Sequence, residues 1–515
     1  MPNTLARRVL AGVGAAGAFV AVAALPASAA PTADLDVYVE DVTVAAGAPG
    51  VLNGPILWAT KETSLAGAVV EFDFADVAGL AEVVAQDDRG PDCTRPATHV
   101  LRCTSRLADS VGEGGLGGAY DVVFRAVGGS EGEGTVKTTF RLPGFTPIVV
   151  ESRLRVGEGV DIAGGADTEV TSEPGGAFEA PLTFTNVGTT TVTNVNAIFY
   201  NDYAFQAART FSNCTYVNGD QLRSCAFDVT IEPGETYRVG VPYRVRADTA
   251  APGNAWGQIS VSTRAQFEDY ANHLASRKIS LGTPGAGGVL TLAPAAGTKA
   301  LRGAQADTEP SNDWSGVGVT VTGENRFDLV ALGAKITGGV GDVADVELGL
   351  RDDGPAAIDR GRGGSPVTLV NVTVPPGTTA VAVSDDCAPL DGDRVDYRNA
   401  GKPGAAKYRC TPGYFIAPGE VIAFPFSLRI DRLDGAAGAV EINVACECDG
   451  NQSDTNAAND TAPITVEAGG AGGGGGGLPV TGPAAGVAAG AGALLLVAGG
   501  VGIVLARRRR TTFVS

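Results

Sequence analysis

The 515-residue chain reads as all-β, built of tandem β-sandwich domains. Three observations predict this. Long runs alternate apolar and polar residues, as in Tyr237, Val239, Val241, Tyr243 and Val245 against Arg238, Arg244 and Arg246. A period of two marks strands with one buried face. Glycine and proline are abundant, at 73 and 29 residues, and they break those runs at turn spacing. Six of the eight cysteines form close pairs around polar loops, which suits stapled hairpins.

The N-terminus reads as a secretory signal, residues 1–29. Arg7 and Arg8 form a basic start, Val9 to Leu25 is an apolar run, and Ala27-Ser28-Ala29 supplies small residues before a cut at Ala30.

Three segments then follow one plan. Each opens on a strand-like run ending in an acidic or Asn turn with glycine: Val69 to Gly79, Leu182 to Gly188, and Val346 to Gly354. Each next places a cysteine pair around a loop, the second cysteine following Leu101-Arg102, Leu222-Arg223-Ser224 or Tyr408-Arg409. Local pairing is expected: Cys93 with Cys103, Cys214 with Cys225, Cys387 with Cys410, and the remaining Cys446 with Cys448. Two residues on an extended strand lie about 6.6 Å apart, near the limit for a bridge. That last pair must therefore tighten or reach elsewhere.

A turn follows, Pro233-Gly234-Glu235 or Pro418-Gly419-Glu420, with a weaker match at Val111-Gly112-Glu113. Then comes a long alternating strand: Tyr120 to Ala126, Tyr237 to Val245, and Ile422 to Ile430. Pro242 and Pro425 inside these runs predict edge strands or bulges. Phe267, Tyr270 and Leu274 fit either an Asn-rich turn or one face of a helix. The domains are placed at 30–148 (divergent), 149–285 and 325–467, with 286–324 as linker or first strand of the third.

The C-terminus has four parts. Residues 468–477 are a Gly-rich spacer. Leu478-Pro479-Val480-Thr481-Gly482 follows. Residues 484–506 are uncharged, and as a helix they extend about 35 Å, enough to cross a bilayer. Residues 507–515 begin with Arg507, Arg508, Arg509 and Arg510, a basic stop-transfer cluster that stays cytoplasmic. In this order the features resemble the LPxTG sorting signal of sortase-anchored surface proteins of Gram-positive bacteria. The resemblance implies that a sortase cysteine attacks the Thr481 carbonyl. Gly482 then leaves with the tail, and Thr481 passes to an amine of the peptidoglycan precursor. Expected partners are therefore sortase, that precursor and, before sorting, the membrane. The expected place is the cell wall at the cell surface. Arginine outnumbers lysine 31 to 7, which suggests an actinobacterial source. The three segments resemble immunoglobulin-like repeats of bacterial surface proteins, of the CARDB and adhesion-repeat kind.

Removing both ends takes six of the 38 basic residues and none of the 57 acidic ones. The formal charge of the remainder is −25, from 32 basic and 57 acidic residues. So acidic an exterior argues against nucleic acid as partner. No H-E-x-x-H, G-x-S-x-G or phosphate-cradling loop occurs, and the only histidines are His99 and His273. No enzyme activity, catalytic residue or cofactor is expected.

Acidic groups are the only candidate metal ligands: Asp87-Asp88 with Asp92, Asp352-Asp353, Asp385-Asp386, and Asp449 with Asp454, Asn456 and Asp460. They could hold calcium, but none matches an EF-hand loop, and Asp and Asn also serve turns. No metal site is assigned. The expected function is a non-enzymatic wall-anchored stalk, scaffold or adhesion module. The alternatives are an adhesin with its ligand site in residues 30–148, or a wall hydrolase.

Overall fold

The computed structural model describes residues 34–86, 90–105, 110–112, 115–293, 304–361, 365–433, 435–443 and 454–469. Its strands form three two-sheet sandwiches. In the second, one sheet runs Thr168–Ser172, Trp314–Asn325, Ala251–Thr263, Val192–Asn201, Gln221–Ile231, Cys214–Val217, Thr283–Pro284. It faces Ile162–Gly164, Ala177–Asn186, Thr236–Val245, Phe205–Ala207.

The third repeats this order. Ala334–Gly338, Thr461–Ala468, Gly438–Ile442, Val370–Thr373, Lys407–Cys410 and Cys387–Asp391 face Leu329–Leu332, Val343–Asp352, Val421–Ile430 and Thr378–Val383. The first has Val42–Ala45, Ile148–Val160, Gly132–Arg141, Val69–Asp73, Val100–Thr104 and Asp92–Ala97 against Val51–Asn53, Val122–Ala126 and Ala81–Ala85. In all three a short early strand pairs in parallel with the last strand, while the other pairings within each sandwich are antiparallel. This is the strand order of an immunoglobulin-like sandwich.

The alternating runs build the cores. Tyr237, Val241, Tyr243 and Val245 are buried in the second, with Val239 packed at its margin. Phe424, Phe426, Leu428 and Ile430 are buried in the third, and Tyr120, Val122 and Phe124 in the first. Aromatic rings interlock there. Phe178 stacks on Tyr243 at 5.5 Å, and Tyr120 meets Phe140 edge-on at 6.1 Å. Cysteines 93 and 103, 214 and 225, and 387 and 410 are disulfide-bonded. Each pair occupies directly opposed positions on neighbouring strands. Cys446 and Cys448 lie outside the described residues.

The structure corrects four expectations. First, Ile148–Val160 is the last strand of the first sandwich, not the start of the second, and pairs along Gly132–Arg141. Second, the described parts of 286–324 belong to the second sandwich. Trp314–Asn325 pairs with Ala251–Thr263, and Leu290 and Leu292 are buried in the second core. Third, the repeat slips in the first segment. Leu182 to Asn186 and Val346 to Asp352 lie on the second sheet's equivalent strands, whereas Val69–Asp73 lies in the opposite sheet, against Gly132–Arg141. Fourth, the strands holding Pro242 and Pro425 are second from the edge rather than at it, although the pairing of the Pro425 strand with its outer neighbour does bulge, between Ala380 and Ala382. Each proline sits just past the end of its short outer neighbour, whose pairing stops at Tyr243 or Phe426. No ladder bond is lost there.

Between Thr263 and Trp314 the second sandwich carries helix α1, Arg264–Ser276. The helical alternative for Phe267, Tyr270 and Leu274 is the one observed. Thr263 and Gln266 form a capping box, which satisfies two otherwise orphaned N–H groups. Among the described residues no helix is long and apolar enough to cross a membrane. The apolar run 484–506 lies outside them.

Candidate functional site: joints and acidic poles

The sandwiches meet with almost no linker. Only Asp161 separates Ile148–Val160 from Ile162–Gly164, and only Arg326, Phe327 and Asp328 separate Trp314–Asn325 from Leu329–Leu332. At the first joint α1 lies against the first sandwich with a polar stripe. Buried Asp269 accepts from Thr43 Oγ1 at 2.5 Å and from Arg153 Nη2 at 3.1 Å. Arg155 reaches Glu268 at 3.2 Å, and Asn272 donates to Asp41 at 3.0 Å. Burial raises the Asp269 carboxyl above its ordinary value even though Thr43, Arg153 and Arg155 all pull it down. Gln305–Asp307 adds a parallel strand to Glu158–Val160. Gln305 is buried, accepting from Thr193 N at 2.9 Å and donating to Glu158 at 3.0 Å.

At the second joint Tyr203 is the pivot. Its N–H donates to Asp359 at 3.1 Å, its hydroxyl to Asp248 at 2.7 Å, and its ring lies 4.7 Å from Phe415. Arg246 covers the ring and pairs with Asp220 at 2.6 Å. A cavity of about 530 Å³ opens beside this joint, lined by Asp202, Tyr203, Phe327, Asp359 and Arg360 among others.

Next to each joint the second and third sandwiches carry the same acidic pole. The long strand ends in Asn186 or Asp352, both fully buried. The carbonyl of each accepts from the glycine of the Pro-Gly-Glu turn, Gly234 at 2.8 Å or Gly419 at 2.7 Å. Each Oδ1 accepts from the glycine two residues on, Gly188 or Gly354. Asp307 Oδ2 accepts from Ile162 N, as Asp454 Oδ2 does from Leu329 N. Asn312 Nδ2 donates to the linker Asp161 at 3.1 Å, as Asn459 Nδ2 does to the linker Asp328 at 2.9 Å.

Burial pushes Asp307 to about 6, Asp313 to about 7 and Asp352 to about 6, and it raises Asp454 and Asp460 as well. Neighbouring carboxylates push the same way.

The poles differ at one place. Asn186 Nδ2 donates to the carbonyls of Thr190 and Ile231, both at 2.9 Å. Asp352 has no such proton, and its Oδ2 is buried with no hydrogen-bond partner. The amide oxygens of Asn312 and Asn459 are likewise buried without a donor.

Thus two acidic groups picked out in sequence, Asp352 and Asp454 with Asp460, come together, while Asp353 turns outward to Arg351. Asp385 and Asp386 are exposed in a turn before Cys387. Asp92 is exposed on an edge strand, and Asp87, Asp88 and Asp449 lie outside the described residues. So do Ala27, Ala29 and Ala30, the pentapeptide Leu478 to Gly482, and Arg507 to Arg510. Asn456 caps a short turn through Ala458 N. His99 meets Phe74 edge-on, and His273 faces Glu40 across the first joint at 2.6 Å. Asp161, Asp307, Asp328 and Asn459 were not picked out in sequence. Each lies at least 131 residues from the partner it meets at the pole.

No family model matches the chain, and no curated protein matches it in sequence. Among solved structures it is similar to a tandem from titin, at 9% identity over 84% of this chain and 99% of that one, TM-score 0.14. It is similar also to a protein from Corynebacterium diphtheriae described as membrane-anchored, at 10% over 84% and 91%, TM-score 0.15. A third is E. coli alpha-2-macroglobulin, at 12% over 69% and 20%, TM-score 0.18. Likeness at these scores carries no weight for function, and the fold assignment rests on strand order.

Proposed function

We propose that this chain is a non-enzymatic surface protein of a Gram-positive cell, exported and then joined to peptidoglycan by a sortase at Thr481. Its sandwiches serve as stalk, scaffold or adhesion module. The observation that carries the stalk reading is the construction of the joints. One or three residues connect neighbouring sandwiches, and side-chain bonds cross both connections. Loose linkers allow domains to move independently, whereas a tether that must hold a distal domain away from the wall benefits from short, bonded joins. The anchoring reading is supported by the order of spacer, pentapeptide, apolar run and arginines in the sequence.

The test is fractionation of cells making the wild type or Thr481→Ala. The wild type is expected in the muramidase-released wall fraction, and the variant in the detergent-extracted membrane fraction. Equal detergent extraction of both would remove the anchoring reading.

A further inference from the structure

The third pole gathers Asp328, Asp352, Asp454 and Asp460. The donors to its carboxylates among the described residues are neutral: the backbone N–H groups of Asp328, Gly354, Leu329 and Asn456, and the side chains of Asn443 and Asn459. Two oxygens there, Asp352 Oδ2 and Asn459 Oδ1, are buried and receive no proton from any group. Leaving a buried acceptor unmet costs about 1–3 kcal/mol, and more when it is charged. At the second pole the equivalent position is satisfied, because Asn186 is itself a double donor. Replacing that amide by a carboxylate removes two donated bonds and adds a negative charge beside Asp328 and Asp454. What completes such a site is a positive charge that binds oxygen.

We propose that Asp352, Asp328 and Asn459 bind a hard divalent cation, calcium in preference to magnesium, at the joint between the second and third sandwiches. Asp328 belongs to the linker itself, so the ion would tie the connecting segment to the end of the Val343–Asp352 strand. Among the described residues no three carboxylate, imidazole or thiol groups form a ready-made metal centre. The protein contribution is two carboxylates and an amide oxygen, with water filling other positions. Calcium tolerates that irregular, partly hydrated shell, while magnesium demands near-ideal octahedral geometry. The second pole is a built-in control, since it shares the unmet asparagine oxygen, on Asn312, but has the satisfied amide of Asn186 where the third pole has the unmet carboxylate oxygen of Asp352.

The test is equilibrium dialysis of the full chain against calcium at neutral pH. One saturable ion per chain is expected, half-bound at about 0.1–1 mM, as for extracellular modules with few charged ligands. Asp352→Asn copies the residue of the second pole and is expected to fold and to weaken binding at least about tenfold. Asn459→Ala should weaken it too, and Asp385→Asn, in an exposed turn, should leave it unchanged. Absence of saturable binding, or wild-type binding by Asp352→Asn, overturns the proposal. So does a calcium-insensitive protein in which Asp352→Asn melts higher than the wild type at neutral pH. That result would mean the carboxyl holds a proton instead.

Discussion

At the second pole the buried side chain ending the long strand is an amide, Asn186, and at the third it is a carboxylate, Asp352. Backbone, turn, linker aspartate and asparagine partner are otherwise shared. The comparison separates what the fold needs from what one sandwich has added. The fold needs an acceptor for the glycine N–H two residues on, and either group supplies it. A donor toward the neighbouring carbonyls is supplied only by the amide. At this position the second pole is thus satisfied, whereas the third leaves a buried carboxylate oxygen unmet.

The most forceful way to break the comparison is to give the second pole the third pole's residue. Asn186→Asp removes two bonds made by a fully buried group and should destabilise the second sandwich by about 3 kcal/mol at neutral pH. Denaturant unfolding measures this, and the loss should shrink in acid, where the new carboxyl is neutral. A change near zero would mean that the two poles are not equivalent.

Next in size is the first joint. Asp269→Ala strips Thr43 and Arg153 of their shared partner and should cost about 2 kcal/mol, the range for hydrogen bonds to charged groups. Hydrogen exchange should show faster opening of α1 and of Val42–Ala45, with the third sandwich unchanged.

A third effect is on pH dependence in the second sandwich. Asp307, facing Asp161 and Glu309, is raised to about 6, and Asp313, near Asp307 and Ser260, to about 7. Both lie above the unfolded carboxylate value, so the folded state binds these protons more tightly. Their contribution is complete below about pH 4 and is lost as pH rises through 6 to 7. The melting temperature of the second sandwich should fall across that window. Asp313→Asn should flatten the fall, and a rise with pH would contradict the assignment.

Much of the fold was legible because strand alternation and local disulfides act over ten or twenty residues. Tyr237 to Val245 declares its buried face by itself, and Cys214 and Cys225 need only one hairpin to meet. The domain ends were illegible for a physical reason. Ile148–Val160 runs into the next sandwich through Asp161 alone, so no Gly- or Pro-rich linker marks the boundary. Helix α1 was ambiguous because its stripe toward the first sandwich is polar, including Asp269 and Asn272. An apolar period of 3.6 is therefore weak. The poles were hidden because Asp328 and Asn459 lie 131 residues apart. Each alone looks like an ordinary turn residue.

Covalent anchoring is tested most directly by mass spectrometry of the C-terminal peptide from muramidase-digested walls. The expected peptide ends at Thr481, bonded through its carbonyl to an amine of a murein stem or cross-bridge. Recovery from sortase-active cells of a chain that continues through Gly482 to Ser515 would contradict it.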